Sequence, residues 1–138
     1  GFVGPNGAGK TTTIKSILGL IKAQGNVLIN GKPNHLMETK EIIGYMPEKD
    51  AFYDDMTPID YLLYLANLSG LDKNLAKNRA EKIINMLGLT DAKNRKIGGF
   101  SSGMKKKVLF AQAIIHMPKF IALDEPTANL DPIAQEQL

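Results

Sequence analysis

Gly4-Pro5-Asn6-Gly7-Ala8-Gly9-Lys10-Thr11 fits the pattern G-x-x-x-x-G-K-[ST] at every fixed position. Before it, Gly1-Phe2-Val3 reads as the end of a buried strand. After it, Ile14, Ile17, Leu18 and Ile21 fall at helical spacing, which predicts a helix from about Gly9 to Ile21. Strand, glycine-rich turn and helix, in that order, form the setting in which such a loop cradles phosphate. Glycines reach backbone angles closed to other residues and leave room for a phosphate to approach the main chain. Successive N–H groups then face the phosphates, assisted by the positive end of the helix dipole. The candidate nucleotide-binding residues are therefore Gly4, Pro5, Asn6, Gly7, Ala8, Gly9, Lys10, Thr11 and Thr12. Lys10 is placed to reach the β- and γ-phosphates, and the Thr11 hydroxyl to enter a Mg²⁺ shell otherwise made of phosphate and water oxygens.

Transfer of a phosphoryl group to water also requires a carboxylate at the metal and a group to orient the attacking water. Near the other end of the chain, the apolar run Phe120-Ile121-Ala122-Leu123 reads as a strand that ends in Asp124-Glu125. In an open parallel sheet, ligands lie at the carboxyl ends of the strands, so this pair is expected to face the phosphate loop. Asp124 is then the metal carboxylate and Glu125 the general base. Two adjacent acids exceed what a kinase of this type requires, since a kinase must avoid transfer to water.

Working outward, Val27 and Ile29 alternate with polar neighbours and run into Asn30-Gly31, which predicts a short antiparallel hairpin with positive φ at its turn. Ile42 to Met46 reads as a further strand, halted by Pro47. From Thr57 the periodicity becomes helical. Thr57-Pro58-Ile59-Asp60 places a capping Thr, a Pro in the first turn and an acid three residues on, opening a helix that runs through Tyr61, Leu62, Tyr64, Leu65 and Leu68 to Gly70. A second helix, from about Leu75 to Leu87, stops at Gly88, and a third follows Phe100 to Gly103 and reaches about Met117 before Pro118. The expected architecture is α/β: a mainly parallel sheet core, a small antiparallel hairpin region, and a helical insertion over about 49–100 of a single domain.

Length supports one domain, since 138 residues suffice for one packed core and not for two. Hydrophobic residues at 43% and charged residues at 22% are ordinary values, which excludes disordered and fibrous classes. A net charge of +3 is spread along the chain, so no polyanionic partner is indicated. Cysteine is absent, which excludes a disulfide scaffold and fits a reducing compartment. No apolar run approaches the roughly 20 residues that span a bilayer. The chain opens on Gly1 with its fourth residue already in the phosphate loop, and so reads as cut upstream.

These residues describe a P-loop nucleoside triphosphatase, and two further segments narrow it. Phe100-Ser101-Ser102-Gly103-Met104 resembles the signature of ABC ATPases, usually Leu-Ser-Gly-Gly-Gln, at the family's distance before the acidic strand end. Pro126-Thr127-Ala128-Asn129-Leu130-Asp131-Pro132 resembles the family's D-loop, with Asp131 as its acid. The likeness covers Gly4 to Pro132 with every motif in family order. It implies a head-to-tail dimer in which Ser101, Ser102 and Gly103 of one ATP-binding domain close over ATP held by the phosphate loop of a second. Tyr45-Met46-Pro47-Glu48 is similar to the segment around the family's Q-loop, with Glu48 where glutamine is commoner; this Tyr-x-Pro-Glu form resembles that of ABC-2-type exporters. The resemblance makes Glu48 a sensor of metal or water beside the catalytic Lys10 and Glu125.

The same resemblance implies Mg²⁺ with ATP as substrate, transmembrane transporter subunits as partners, and a peripheral place on the cytoplasmic side of the cell membrane. Departures are Ser102 for the first signature glycine and Met104 for the glutamine. The family's adenine-stacking aromatic would fall before Gly1 and its switch histidine after Leu138, so the chain reads as truncated at both ends. His35 and His116 sit elsewhere and read as surface or structural residues. Lys105-Lys106-Lys107 reads as a solvated helix face, with no interleaved aromatics of the kind that stack bases, so no nucleic acid is expected. Tyr61, Tyr64 and Leu68 read as core or docking surface, and Lys49 to Met56 as the surface toward a membrane partner, with Phe52 and Tyr53 as its exposed aromatics. Two alternatives remain open at this point: an ABC ATPase acting on ribosomes or DNA, and a nucleotide-binding fragment without turnover.

Overall fold

Local chemistry fixes most element ends. In the computed structural model, which describes residues 4–5, 7–49 and 52–126, Gly9 turns the chain with φ of 86° into α1 (Lys10–Ile17). This helix ends four residues earlier than the apolar spacing predicts. Gly19, with φ of 67°, closes it: the Gly19 N–H bonds the Ser16 carbonyl and the Leu20 N–H bonds that of Lys15. The Asn34 side-chain amide satisfies the Ser16 and Ile17 carbonyls at 2.9 Å each, and Ile21, at helical spacing by sequence, lies exposed beyond the stop.

Strands β1 (Leu28–Ile29) and β2 (Lys32–Pro33) pair antiparallel across Asn30 and Gly31, whose φ values of 53° and 76° are those of the expected hairpin turn. A short helix, α2 (Met37–Glu41), follows; no capping side chain marks its start, and the sequence reading had no element there. β3 (Ile43–Met46) then leads to α3 (Pro58–Leu68), where the Thr57 hydroxyl oxygen accepts the Asp60 N–H as its cap. α4 (Lys73–Met86) begins two residues earlier than predicted, because Asp72 Oδ1 accepts the N–H groups of Asn74 and Leu75. After two 3₁₀ turns, α5 (Ser102–Ile114) starts inside the signature-like motif and stops short of Met117, which takes a φ of 59°. β4 (Phe120–Leu123) completes the described chain.

β3 and β4 pair in parallel, with Ile43 opposite Phe120 and Met46 opposite Leu123. They are the parallel pair among the described residues; Gly1-Phe2-Val3, read as a strand, lies outside them. Two hydrophobic clusters meet on α5. Val108, Ala111 and Ile115 join Tyr61, Leu62 and Ala66 of α3 and Ala80, Ile83 and Ile84 of α4. Leu109 and Ala113 lie against Met46 of β3. Contact there is close: a Cβ on Gly44 would come within 2.0 Å of the Ala113 carbonyl oxygen. α5 is thus the wall shared by the helical region and the parallel pair. No helix among the described residues is long and apolar enough to cross a membrane.

Two surface expectations are corrected. Lys105-Lys106-Lys107 is not a wholly solvated face: Lys106 is 8% exposed, because it shares the inward stripe of Leu109 and Ala113 at i+3 and i+7. Phe52 is not an exposed aromatic but packs edge-on against the buried Tyr61, ring centres 5.5 Å apart, whereas Tyr53 is exposed and meets Tyr64.

Candidate nucleotide site

Positive φ at Gly7 and Gly9, 83° and 86°, shapes the phosphate loop, which is pinned by an Ala8 N–H bond to the Pro5 carbonyl. Only glycine takes such angles without strain. Lys10, at the start of α1, folds back over the loop, donating to the carbonyls of Gly4 (2.8 Å) and Pro5 (3.1 Å). Thr11, next on the helix, donates its hydroxyl proton to Asp124 Oδ1 at 3.0 Å. Lys10 Nζ also stands 3.3 Å from Glu125 Oε1. Residues from the chain's beginning and from the end of β4 therefore converge.

Consecutive side chains on an extended strand point to opposite faces, so Asp124 and Glu125 reach one loop only if the backbone turns between them. It does so at Glu125, whose φ of 49° is uncommon outside glycine. Strain of this kind concentrates at functional positions. The Asp124 N–H bonds the Met46 carbonyl at 2.9 Å, extending the β3–β4 ladder to the residue that meets Thr11.

A cavity of about 370 Å³ lies between these groups, lined by Gly7, Gly9, Lys10, Thr11, Thr12, Glu48 and Glu125. Glu48 enters from the end of β3, directly after Pro47. Asp124 does not line this cavity but stands behind Thr11; it is 1% exposed, and its Oδ2 is buried without a hydrogen-bond partner among the described residues. The Tyr45 hydroxyl is also buried; it faces Asp124 without a hydrogen bond of regular geometry among the described residues. Burial first, and then the charge of Asp124, raises the Tyr45 pKa, so the phenol stays protonated beside the carboxylate.

This donor set fits Mg²⁺: a hydroxyl and a carboxylate with an unsatisfied oxygen are hard ligands. Among the described residues no cluster of three or more His, Cys, Asp or Glu side chains could enclose a metal alone, so phosphate and water oxygens would complete its shell. That is how Mg²⁺ is ordinarily held beside a triphosphate.

The signature-like residues do not line this cavity. Ser101 caps α5 by accepting the Met104 N–H at 3.2 Å, with Ser102 exposed and Gly103 partly so at the helix's positive end. Asn6 and Asp131 lie outside the described residues. His35 is exposed, and His116 Nε2 meets the Ile43 carbonyl at 2.9 Å, away from the loop. Tyr45 and Lys106 were missed by sequence reasoning as site neighbours. Lys106 had a legible signal in its i, i+3, i+7 relation to Leu109 and Ala113; Tyr45 had its place in the same strand as Met46.

Residues 1–128 match the ABC transporter family. An ABC transporter ATP-binding protein of Bacillus subtilis, YxlF, is 40% identical over 95% of this chain and 44% of its own length. The bacitracin transport ATP-binding protein BcrA of Bacillus licheniformis is 41% identical over the whole chain and 45% of its own length. The linearmycin resistance ATP-binding protein LnrL of Bacillus subtilis is 36% identical, again over the whole chain and 45% of its length. The chain thus spans about half the length of the curated relatives it matches. A solved ATP-binding subunit of an ABC transporter superposes with a TM-score of 0.82 at 32% identity, covering 98% of this chain and 57% of that one. With a P-loop α/β fold, a loop and acid pair that converge, and a family match over nearly its whole length, the chain belongs to the ABC transporter family as an ATP-binding domain sequence.

Proposed function

We propose that this chain binds and hydrolyses ATP as part of an ABC transporter subunit, and that hydrolysis drives transport. The observation that carries the reading is the convergence of Lys10, Thr11, Glu48 and Glu125 on one cavity, with Asp124 bonded to Thr11 behind it. The loop from Gly4 to Thr12, with Asn6, holds the phosphates through backbone N–H groups and the α1 dipole. Lys10 exchanges its contact with Glu125 for the β- and γ-phosphates. Mg²⁺, when bound, neutralises charge building on the phosphate oxygens. Thr11, Asp124 and Glu48 hold it there directly or through water. Glu125 takes a proton from the attacking water as general base.

Ser101, Ser102 and Gly103 face the ATP of a second such domain, with Asp131 at the same junction, so the working unit is a dimer bound to transmembrane subunits on the cytoplasmic face of the membrane. Residues 49–100 serve as the helical insertion that meets those subunits. Two relatives named for bacitracin transport and linearmycin resistance support export as the direction. In the full-length protein, Glu125→Gln is expected to keep nucleotide binding, measured with a fluorescent ATP analogue, and to lose turnover by at least about a hundredfold. Undiminished ATPase activity in that variant removes Glu125 as the base.

A further inference from the structure

Among the described residues, Lys106 is the only buried lysine or arginine. Withdrawing an ammonium from water is costly unless it is paired, and among the described residues Lys106 has no carboxylate partner. Its Nζ donates instead to the backbone carbonyl of Glu48 at 2.6 Å. A bond to the carbonyl holds the main chain and leaves the Glu48 carboxylate at the cavity.

The segment that follows is fastened to the same neighbourhood at its far end. The Gly98 N–H bonds the Asp54 carbonyl at 3.1 Å, and the Ile97 N–H bonds that of Met56 at 3.0 Å. Residues 96–98 lead directly into Ser101 and α5. Residues 48 and 54–56 are therefore tied, from both sides, to the structure that carries the signature-like motif.

We propose that Lys106 is a positioning residue: from the first turns of α5 it sets the backbone of Glu48 so that the carboxylate is presented to the bound nucleotide. This rests on the ATPase reading above for its effect on turnover, though not for the tie itself. Because Lys106 lies one turn beyond Ser102 and Gly103, a shift of Glu48 at one nucleotide is passed to the motif that faces the other.

The test uses the full-length protein assembled with its partners. Lys106→Met removes the donor and keeps most of the volume; Lys106→Arg keeps a donor. Hydrogen–deuterium exchange of the peptide covering 46–56 and steady-state ATPase kinetics are both read. Expected in Lys106→Met are faster exchange over 46–56 with α5 unchanged, kcat lower by about tenfold, and KM for MgATP within about threefold. Lys106→Arg should recover most of the loss. Combining Lys106→Met with Glu48→Ala should lower kcat no further than Glu48→Ala alone, since a residue acting through Glu48 then has nothing to act on. Unchanged exchange over 46–56, or losses that multiply in the double variant, overturn the proposal. Should Lys106→Met fail to fold, Lys106→Gln, too short to make the bond yet compatible with water, carries the same expectations. A wild-type protein that hydrolyses no ATP would defeat the ATPase reading, and the exchange measurement would still decide whether Lys106 holds Glu48.

Discussion

Helix α3 buries Tyr61, Leu62 and Ala66, and α4 buries Ala76, Ala80, Ile83 and Ile84, whereas α1 buries none of its own residues. The helical region is held by interlocked apolar side chains that contact one another across α3, α4 and α5. The phosphate-loop side is held by polar tethers: Thr11 to Asp124, Lys10 to the loop carbonyls, and Asn34 to the end of α1. Ile14, Ile17, Ile121 and Leu123 border an open crevice of about 470 Å³ instead of filling one another's spaces. Among the described residues, then, the groups at the nucleotide cavity are held mainly by polar contacts, and the helical region by apolar packing.

Equivalent truncations should expose this difference. Leu62→Ala, at a fully buried site, is expected to cost about 2–5 kcal/mol in denaturant unfolding, through lost transfer energy and a residual cavity. Arg79→Met comes next. The Arg79 guanidinium donates to the Ile114 and Ile115 carbonyls at 2.9 Å each, closing α5 from α4. Its loss leaves those carbonyls without their cationic partner and should cost about 1–3 kcal/mol by the same measurement. Ile17→Ala, on a half-exposed face, should cost only about 1 kcal/mol in this chain. A loss at Ile17 equal to that at Leu62 would mean that the two sides are packed alike and would break the comparison.

Features read correctly from the sequence are those whose cause is local. The loop pattern, Asn30-Gly31, the Thr57 cap and the stop at Pro47 each act within a few residues, and each appears where the sequence placed it. Misreadings arose where distant groups decide. Ile21 keeps the helical spacing of Ile14 and Ile17, yet Gly19 and the Asn34 side chain end α1 before it. Lys106 looks like the middle of a charged run until Glu48, two residues past β3, supplies its partner. Phe52 turns inward because Tyr61, in another element, offers its ring edge. For the candidate site, the loop and the acid pair were legible as motifs, but the bend at Glu125 that brings both acids to one side was not.

Gly44 sets a dimension on which the Glu48 tie depends. With no side chain on that residue, α5 rests so near β3 that a methyl group would strike the Ala113 carbonyl. A lysine has a fixed reach of four methylenes, so the thickness of this one helix-on-strand layer determines whether its ammonium touches the backbone just past the strand. Gly44→Ala would prise the layer apart and detach the contact without altering a single atom of either bonded residue. The bare backbone of a buried strand is in that sense a spacer gauge for the distant glutamate.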